Sequence, residues 1–272
     1  MAQLDPYFLG YRQAEQERLQ VQAQELASEA NWLFDQLGLP RGAQVIEFGC
    51  GPRGCLDLLA ERVGSQGRVV GLERSAEAVQ LAQRFVADHQ LGNVEVLHGD
   101  AHATGLPRAS FDLATARLVL VNVPGPEQIV AEMVDLVRPG GMVALHEADY
   151  VSNLCDPPLP AWSRLMQALE TYASINGIDL FIGRRVPRLL RDVGLVEIQT
   201  RPLISLHPLG HWRRMIRWQF VQNLHERLIA QKVLAEAELD DLSAALKRHL
   251  EDPDTLVVSH LYVQVWGRKP AQ

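Results

Sequence analysis

The segment Val45-Ile46-Glu47-Phe48-Gly49-Cys50-Gly51-Pro52-Arg53-Gly54 runs from a short apolar stretch into glycines at 49, 51 and 54. Small residues after a strand let a ligand come close to the backbone, and donors at the start of the next helix can meet its polar groups. By spacing alone the loop matches a dinucleotide fingerprint. Glu73, at the end of the next strand, then stands where an acid takes ribose hydroxyls, as in an NAD site. Glu47 adds a second feature, an acid two residues before the first glycine where a dinucleotide fold keeps an apolar strand residue. Cys50 and Cys55 have no cation or histidine beside them in sequence to activate a thiolate, so Cys50 enters the loop for its small size.

These residues need a parallel sheet to hold them. Apolar residues recur in steps of four and three over 19–37, one amphipathic helix stopped by Gly38 and Pro40. Strand and helix patterns then alternate: strand 44–48, helix 56–63, strand 68–72, helix 76–89, strand 94–97, strand 113–115, helix 127–137, a Pro139-Gly140-Gly141 turn and strand 142–147. That alternation is the mark of parallel βαβ units. Beyond it come helices around 162–173 and 186–193, a strand at 196–200, helical periodicity over 211–229 and 236–250, and a last strand at 256–266.

Glu47-Phe48-Gly49-Cys50-Gly51, Glu73, Gly99-Asp100-Ala101, Phe111-Asp112-Leu113, Ala116-Arg117 and Arg138-Pro139-Gly140-Gly141 follow one another along residues 43–150. In that order they resemble the class I S-adenosylmethionine-dependent methyltransferases, of the bacterial small-molecule, natural-product type. The resemblance implies an α/β fold: a Rossmann-like seven-stranded methyltransferase sheet with an N-terminal helical cap and a C-terminal helical insertion. It divides the chain into a cap (1–40), a cofactor-binding core (41–150) and a substrate side (151–272), with strands six and seven and an insertion at 208–255. It also implies that the Glu47, Gly49, Cys50 and Gly51 loop lies against the methionine part of S-adenosylmethionine. Glu73, with Arg74 beside it, would meet the ribose, Asp100 and the Ala101 N–H the adenine, and Ala116 and Arg117 would lie near the methionine end. The family's third glycine usually stands two positions after the second, whereas Arg53 stands there in this chain and Gly54 follows. The first helix resembles the family's cap, with Tyr7 before it. Arg18 and Gln22, four residues apart, share a face from which one could pair with the methionine carboxylate.

Ligands of open parallel sheets bind beyond the carboxyl ends of the strands, where Arg117, His146, Glu147, Asp149 and Tyr150 fall. His146 is the general-base candidate for an oxygen, nitrogen or acidic-carbon acceptor, a packed strand-end histidine being its structural alternative. Glu170 flanks the apolar stripe of Trp162, Met166, Leu169 and Ala173, where a carboxylate could take a proton from a carbocation or simply face solvent. Between residues 178 and 218 eight arginines face three acids. With the histidines and aromatics among them they suit a substrate anionic at one end and apolar at the other. Arg184, Trp212, Tyr150 and His207 are the expected substrate contacts. A prenyl diphosphate is compatible and would call for Mg²⁺, although no metal-ligand spacing such as HxxxH or DxDxDG occurs.

The composition narrows the surroundings. The chain has 272 residues, 47% hydrophobic, and a formal net charge of −7, enough for a large core and unfavourable for general binding to nucleic acid or anionic membrane. No leader pattern or membrane-length apolar stretch is visible, and three cysteines without a CxxC pair suit neither a disulfide framework nor structural zinc. The expectation is a cytoplasmic enzyme of secondary, isoprenoid-type metabolism with a small-molecule substrate. An apolar face left over on the C-terminal helices would allow a homo-oligomer. Two alternatives stay open here: an NAD-dependent oxidoreductase and a non-catalytic methyltransferase-like binding module.

Overall fold

The computed structural model describes residues 8–9 and 13–271. Its strands are β1 (Gln44–Phe48), β2 (Arg68–Glu73), β3 (Val94–His98), β4 (Phe111–Arg117), β5 (Val137–Asp149), β6 (Leu154–Asp156), β7 (Val196–Leu203), β8 (Leu256–Val258) and β9 (Leu261–Arg268). Seven of them form one sheet in the order β3-β2-β1-β4-β5-β9-β7, and β6 pairs with β8 in a small second sheet. β1 to β5 run parallel, and β9 is antiparallel to both its neighbours. Strand order reverses between β1 and β4, and loops leaving such neighbours diverge to opposite faces and open a crevice.

The helices are α1 (Gln13–Glu25), α2 (Ala27–Leu37), α3 (Leu56–Val63), α4 (Ala76–Asp88), α5 (Pro126–Leu136), α6 (Pro160–Ile175), α7 (Val186–Asp192), α8 (Ile216–Ala230) and α9 (Glu236–Glu251). Alternation along β1 sends Val45 to one face and Ile46 and Phe48 to the other. Val45, Val69, Leu113 and Ala144 pack under α2, α3 and α4. Ile46, Val70, Ala114, Val143 and Leu145 belong to the larger core with α5 to α9. Phe8 and Leu9 are buried in that second core, the Phe8 N–H donating to the Asn122 carbonyl at 2.9 Å. No described helix is long and apolar enough to cross a membrane.

Three elements differ from the sequence reading. The single helix expected over 19–37 is two, α1 and α2, with a break at Leu26. The Leu26 N–H still bonds the Gln22 carbonyl and the Ala30 N–H the Leu26 carbonyl, each at 3.0 Å, so apolar periodicity passes straight through the bend. The single strand expected over 256–266 is split into β8 and β9 at Ser259-His260. There the Ser259 N–H donates to the Ser205 carbonyl and the Ser205 N–H to Ser259 Oγ, both at 2.9 Å, which ties the turn to the chain after β7. β6, three residues long, had no pattern to announce it.

Candidate functional site

The loop after β1 is held from below by two carboxylates. Both Glu47 oxygens accept the Cys55 N–H at the start of α3, at 3.0 and 2.9 Å. Burial pushes the Glu47 carboxyl up to about 7, against the pull of Arg117 and of the Cys55 N–H. Glu73, at the end of β2, accepts the Gly51 N–H at 2.9 Å through one oxygen and the Ser75 N–H at 2.8 Å through the other. Its pKa is also raised, first by burial. Arg117 closes the loop on the third side by donating to the Gly54 carbonyl at 3.1 Å.

Gly54, the glycine one place later than in the family pattern, has φ of +56°, and a Cβ there would come within 2.5 Å of a Glu47 oxygen. A side chain at 54 would therefore displace the acid that fixes the loop. Gly49 has φ of +60°, and a Cβ would lie 2.7 Å from a Val119 methyl. Both positions need glycine for conformation and for space.

Beyond β3, Asp100 accepts the His102 backbone N–H at 2.9 Å and faces His102 Nδ1 at 2.8 Å. Burial opposes ionisation of Asp100, but these bonds, with His102 and Arg74 nearby, hold its carboxyl below the usual value. Arg74 Nη1 lies 3.9 Å from the other Asp100 oxygen. Asp100 and its bonded turn thus present a mostly ionised carboxylate on the rim.

α1 forms the roof. Arg18 donates to both oxygens of Glu15 at 2.8 and 2.6 Å and to Gln22 Oε1 at 2.7 Å, and its guanidinium lies 5.3 Å from the Phe220 ring centre. Asn223 on α8 donates to the same Glu15 at 3.0 Å, fastening roof to insertion. Gln16 is 3% exposed, and among the described residues neither end of its amide has a partner although it lines the cavity. A buried amide left in this way fits a ligand-facing position.

Under this roof lies a cavity of about 1290 Å³, counted to its open mouth. One end is lined by Glu73, Arg74, Asp100 and Ala101, with Glu47, Gly49, Cys50 and Gly51 beside them, and the other by Tyr150, Ile216, Phe220 and His260. Leu118, Val119, Val121 and Asn122 form the wall between. That wall is shaped by Glu147, fully buried on β5. Its carboxylate accepts the N–H groups of Val119, Leu120 and Val121 at 3.1, 3.0 and 3.2 Å. Burial pushes Glu147 up to about 8 against those bonds.

Arg18, Gln22 and Arg117 line this cavity along with the loop and the acids, and so does Tyr150. The other expected site residues lie elsewhere. Glu170 is exposed on the outer side of α6 and is not on the cavity wall, so it cannot act there. His146 is buried behind the wall, 5.3 Å from the Tyr262 ring, and burial, then Arg117, push it down to about 3, a packed neutral imidazole. Arg184 is spent on Asp149, at 2.5 and 2.6 Å. Trp212 is half-buried beside Arg213 and His207 lines a smaller second cavity. Ala116 belongs to the core. Tyr7 lies outside the described residues. Gln16, Asn122 and His260 on the wall were not anticipated as site residues, whereas Phe220 was among the aromatics expected to suit an apolar substrate. Only the helical spacing of Gln16 with the other α1 residues could have pointed to any of them.

A family model described as "Methyltransferase domain" matches residues 39–194, from just before β1 to just after α7. The chain belongs to the S-adenosylmethionine-dependent methyltransferase family. Among curated methyltransferases, demethylmenaquinone methyltransferase of Listeria monocytogenes is 31% identical over 132 residues, 48% of this chain and 53% of that protein. The chain spans about half the length of the first curated relatives it matches. Among solved structures, YcgJ of Bacillus subtilis superposes with a TM-score of 0.61 at 15% identity, covering 89% of this chain and 99% of that chain. Geranyl diphosphate C-methyltransferase of Streptomyces coelicolor, solved with Mg²⁺, a geranyl thiolodiphosphate and S-adenosylhomocysteine, gives 0.56 at 14%, covering 89% and 75%. At these identities the two structures establish the class I methyltransferase fold. It is the family match that sets aside the dinucleotide reading of the glycine loop.

Proposed function

We propose that the protein transfers the methyl group of S-adenosylmethionine to a small, largely apolar metabolite held between the cofactor and α8. The observation that carries this reading is the division of one cavity into an end with carboxylates and backbone donors and an end with aromatic and aliphatic side chains. The residues present fit the cofactor. Glu73 and Asp100 offer acceptors for ribose hydroxyls and an adenine amino group, the Ala101 N–H offers a donor, and Gln16 offers an amide donor for a carboxylate, Arg18 being paired with Glu15 and Gln22. When bound, S-adenosylmethionine supplies an electrophilic sulfonium methyl, so the protein's tasks are orientation and exclusion of water. Leu118, Val119, Ile216 and Phe220 supply apolar contact for the acceptor, and α1 roofs the site.

The acids on the wall already hold backbone N–H groups, and both ring nitrogens of His260 are engaged, with Arg217 and with Tyr262 Oη. Proton removal is assigned to none of them. An isoprenoid acceptor suits the apolar end, and the Streptomyces neighbour lends that idea support through its bound ligand. For a diphosphate with Mg²⁺ the fit is poor: among the described residues no three His, Cys, Asp or Glu side chains gather as a metal site, and no metal step is derived.

Isothermal titration of the purified protein with S-adenosylhomocysteine, and separately with NADH, tests the proposal. Micromolar binding of the first and none of the second is expected, and the reverse would end the methyltransferase reading of this site. Transfer of labelled methyl to any member of a panel of small apolar acceptors then separates an enzyme from a binding module.

A further inference from the structure

His102 stands two residues after Asp100, close enough for its backbone and its ring to reach the same carboxylate. Its N–H donates to Asp100 Oδ1 at 2.9 Å, and its ring Nδ1 faces that oxygen at 2.8 Å. The other ring nitrogen, Nε2, lies 2.8 Å from the Pro124 carbonyl oxygen, in the turn that leads into α5. Gly125 beside it has φ of +66°, and a Cβ there would come within 3.4 Å of Nε2, so the turn leaves room for the ring. Gln128 on α5 donates to the His102 carbonyl at 3.2 Å. Like Asp100 and Ala101, His102 lines the main cavity.

Both ring nitrogens thus meet oxygens that accept and do not donate, an ionised carboxylate and a backbone carbonyl. A neutral imidazole has one N–H and one lone pair, so either tautomer would set a lone pair against one of these oxygens. A ring protonated on both nitrogens donates to each. Turning the ring over would put carbon in both places and lose both bonds. The consequence falls on Asp100. Its Oδ1 takes two donors from one residue, which fixes the plane of the carboxylate. Among the described residues no donor lies within hydrogen-bonding distance of Oδ2, Arg74 being 3.9 Å away.

We infer that His102 is a positioning residue of the adenine subsite: its ring, donating from both nitrogens, fixes Asp100 with one oxygen taken and the other free for an amino group, and ties that turn to the segment before α5. The inference rests on the methyltransferase reading and adds a selectivity to it. An ionised Oδ2 accepts and cannot donate, so a purine with an amino group at carbon 6 is taken and one with a carbonyl there is turned away. The charges around the ring are few. Asp100 lies on its own turn and Arg74 follows β2, while Pro124, Gly125 and Gln128, which meet it from the α5 side, are uncharged. Glu127, next to them, is exposed and paired with Arg185.

The test is calorimetry on the full chain with S-adenosylhomocysteine and with its 6-oxo analogue, S-inosylhomocysteine. The wild type is expected to bind the adenine form at least about tenfold more tightly, the contribution of one hydrogen bond to a charged group. His102→Phe keeps a ring and loses both donors, and should cut that preference to less than about threefold. His102→Asn, whose amide can still donate to Asp100, should keep part of it. As pH rises from about 5.5 to about 8.5 the ring loses its second proton, and wild-type affinity for the adenine form should fall at least about threefold further than that of His102→Phe. Glu47 and Glu73, both raised first by burial, are present in both proteins, so the difference between the two curves reads the ring. Nitrogen-15 spectra of the histidine-labelled complex at about pH 7 should show both His102 ring nitrogens protonated, the signal being assigned by its loss in His102→Phe. Equal binding of the two nucleosides by the wild type overturns the inference without recourse to any variant. So do equal losses for both nucleosides in His102→Phe, parallel pH curves, or a His102 ring with a single N–H in the complex, each of which leaves the methyltransferase reading standing. A wild type that does not bind S-adenosylhomocysteine at all breaks that reading, and the inference with it.

Discussion

The cofactor end of the main cavity and the buried arginine cluster behind its far end are built from opposite charges used in opposite ways. At the cofactor end, Glu47, Glu73 and Asp100 each accept backbone N–H groups, so the acids shape the loops as well as facing a ligand. Behind the far end, arginines and histidines meet rings, carbonyls and one another, and among the described residues no carboxylate pairs with Arg217. Acids that hold backbone amides can serve a loop even when no ligand is bound. A buried guanidinium without an acid is costly to the fold. The contrast separates charges that hold backbone from charges that meet rings and carbonyls.

The largest expected effect tests this contrast by pH. His146, His207 and His260, on the far side, have pKa values pushed down by burial and neighbouring arginines, to about 3 and about 4 for the first two. Each binds a proton less readily folded than unfolded, so the stability it adds is complete above about 6.5 and lost as pH falls through the folded values. Glu47 and Glu147 have raised values, about 7 and about 8, so their contribution is present below 4.5 and lost as pH rises through that range. Urea midpoints should therefore decline on both sides, each group bending the curve by up to about 1.4 kcal/mol per pH unit. Glu147→Gln should flatten the alkaline decline and leave the acid one. A curve unchanged by that substitution would contradict the assignment.

Next in size is Glu73→Ala, which removes the acceptor for the Gly51 and Ser75 N–H groups and the proposed ribose contact. Calorimetry should show S-adenosylhomocysteine affinity falling by roughly a hundredfold. A fall of only a few-fold would mean that Glu73 belongs to the loop alone. Gly54→Ala is expected to cost about 1–3 kcal/mol in urea unfolding, through positive φ and contact with Glu47, and to weaken cofactor binding with it. The smallest effect belongs to Glu170→Gln, which should change stability by less than about 0.5 kcal/mol and leave turnover intact. A large loss of turnover there would restore Glu170 to the reaction and move the substrate end of the site.

The same contrast explains what could be read from the amino-acid sequence. The parallel strands and the loop acids were legible because their signals are local: an apolar run, a glycine cluster, an acid at a strand end. The far end was not. Eight arginines between 178 and 218 looked alike in sequence, but Arg184, Arg188 and Arg191 are exposed while Arg213, Arg214 and Arg217 are buried. That difference is set by how the insertion packs on α6 and β9, and no spacing encodes it. Glu170 was drawn in because it flanks an apolar stripe, but a helix turns 100° per residue, and one step beyond Leu169 already faces water. His260 was hidden inside what read as one continuous strand, although the split between β8 and β9 is what turns it into the cavity.

The most direct test is a crystal structure with S-adenosylhomocysteine. The adenine edge should lie against Asp100 and the Ala101 N–H and the ribose hydroxyls against Glu73, with the space between Tyr150, Ile216, Phe220 and His260 left free for an acceptor. A cofactor seated among those four residues, or one making no contact with Glu73 and Asp100, would contradict the division of the cavity on which the account depends.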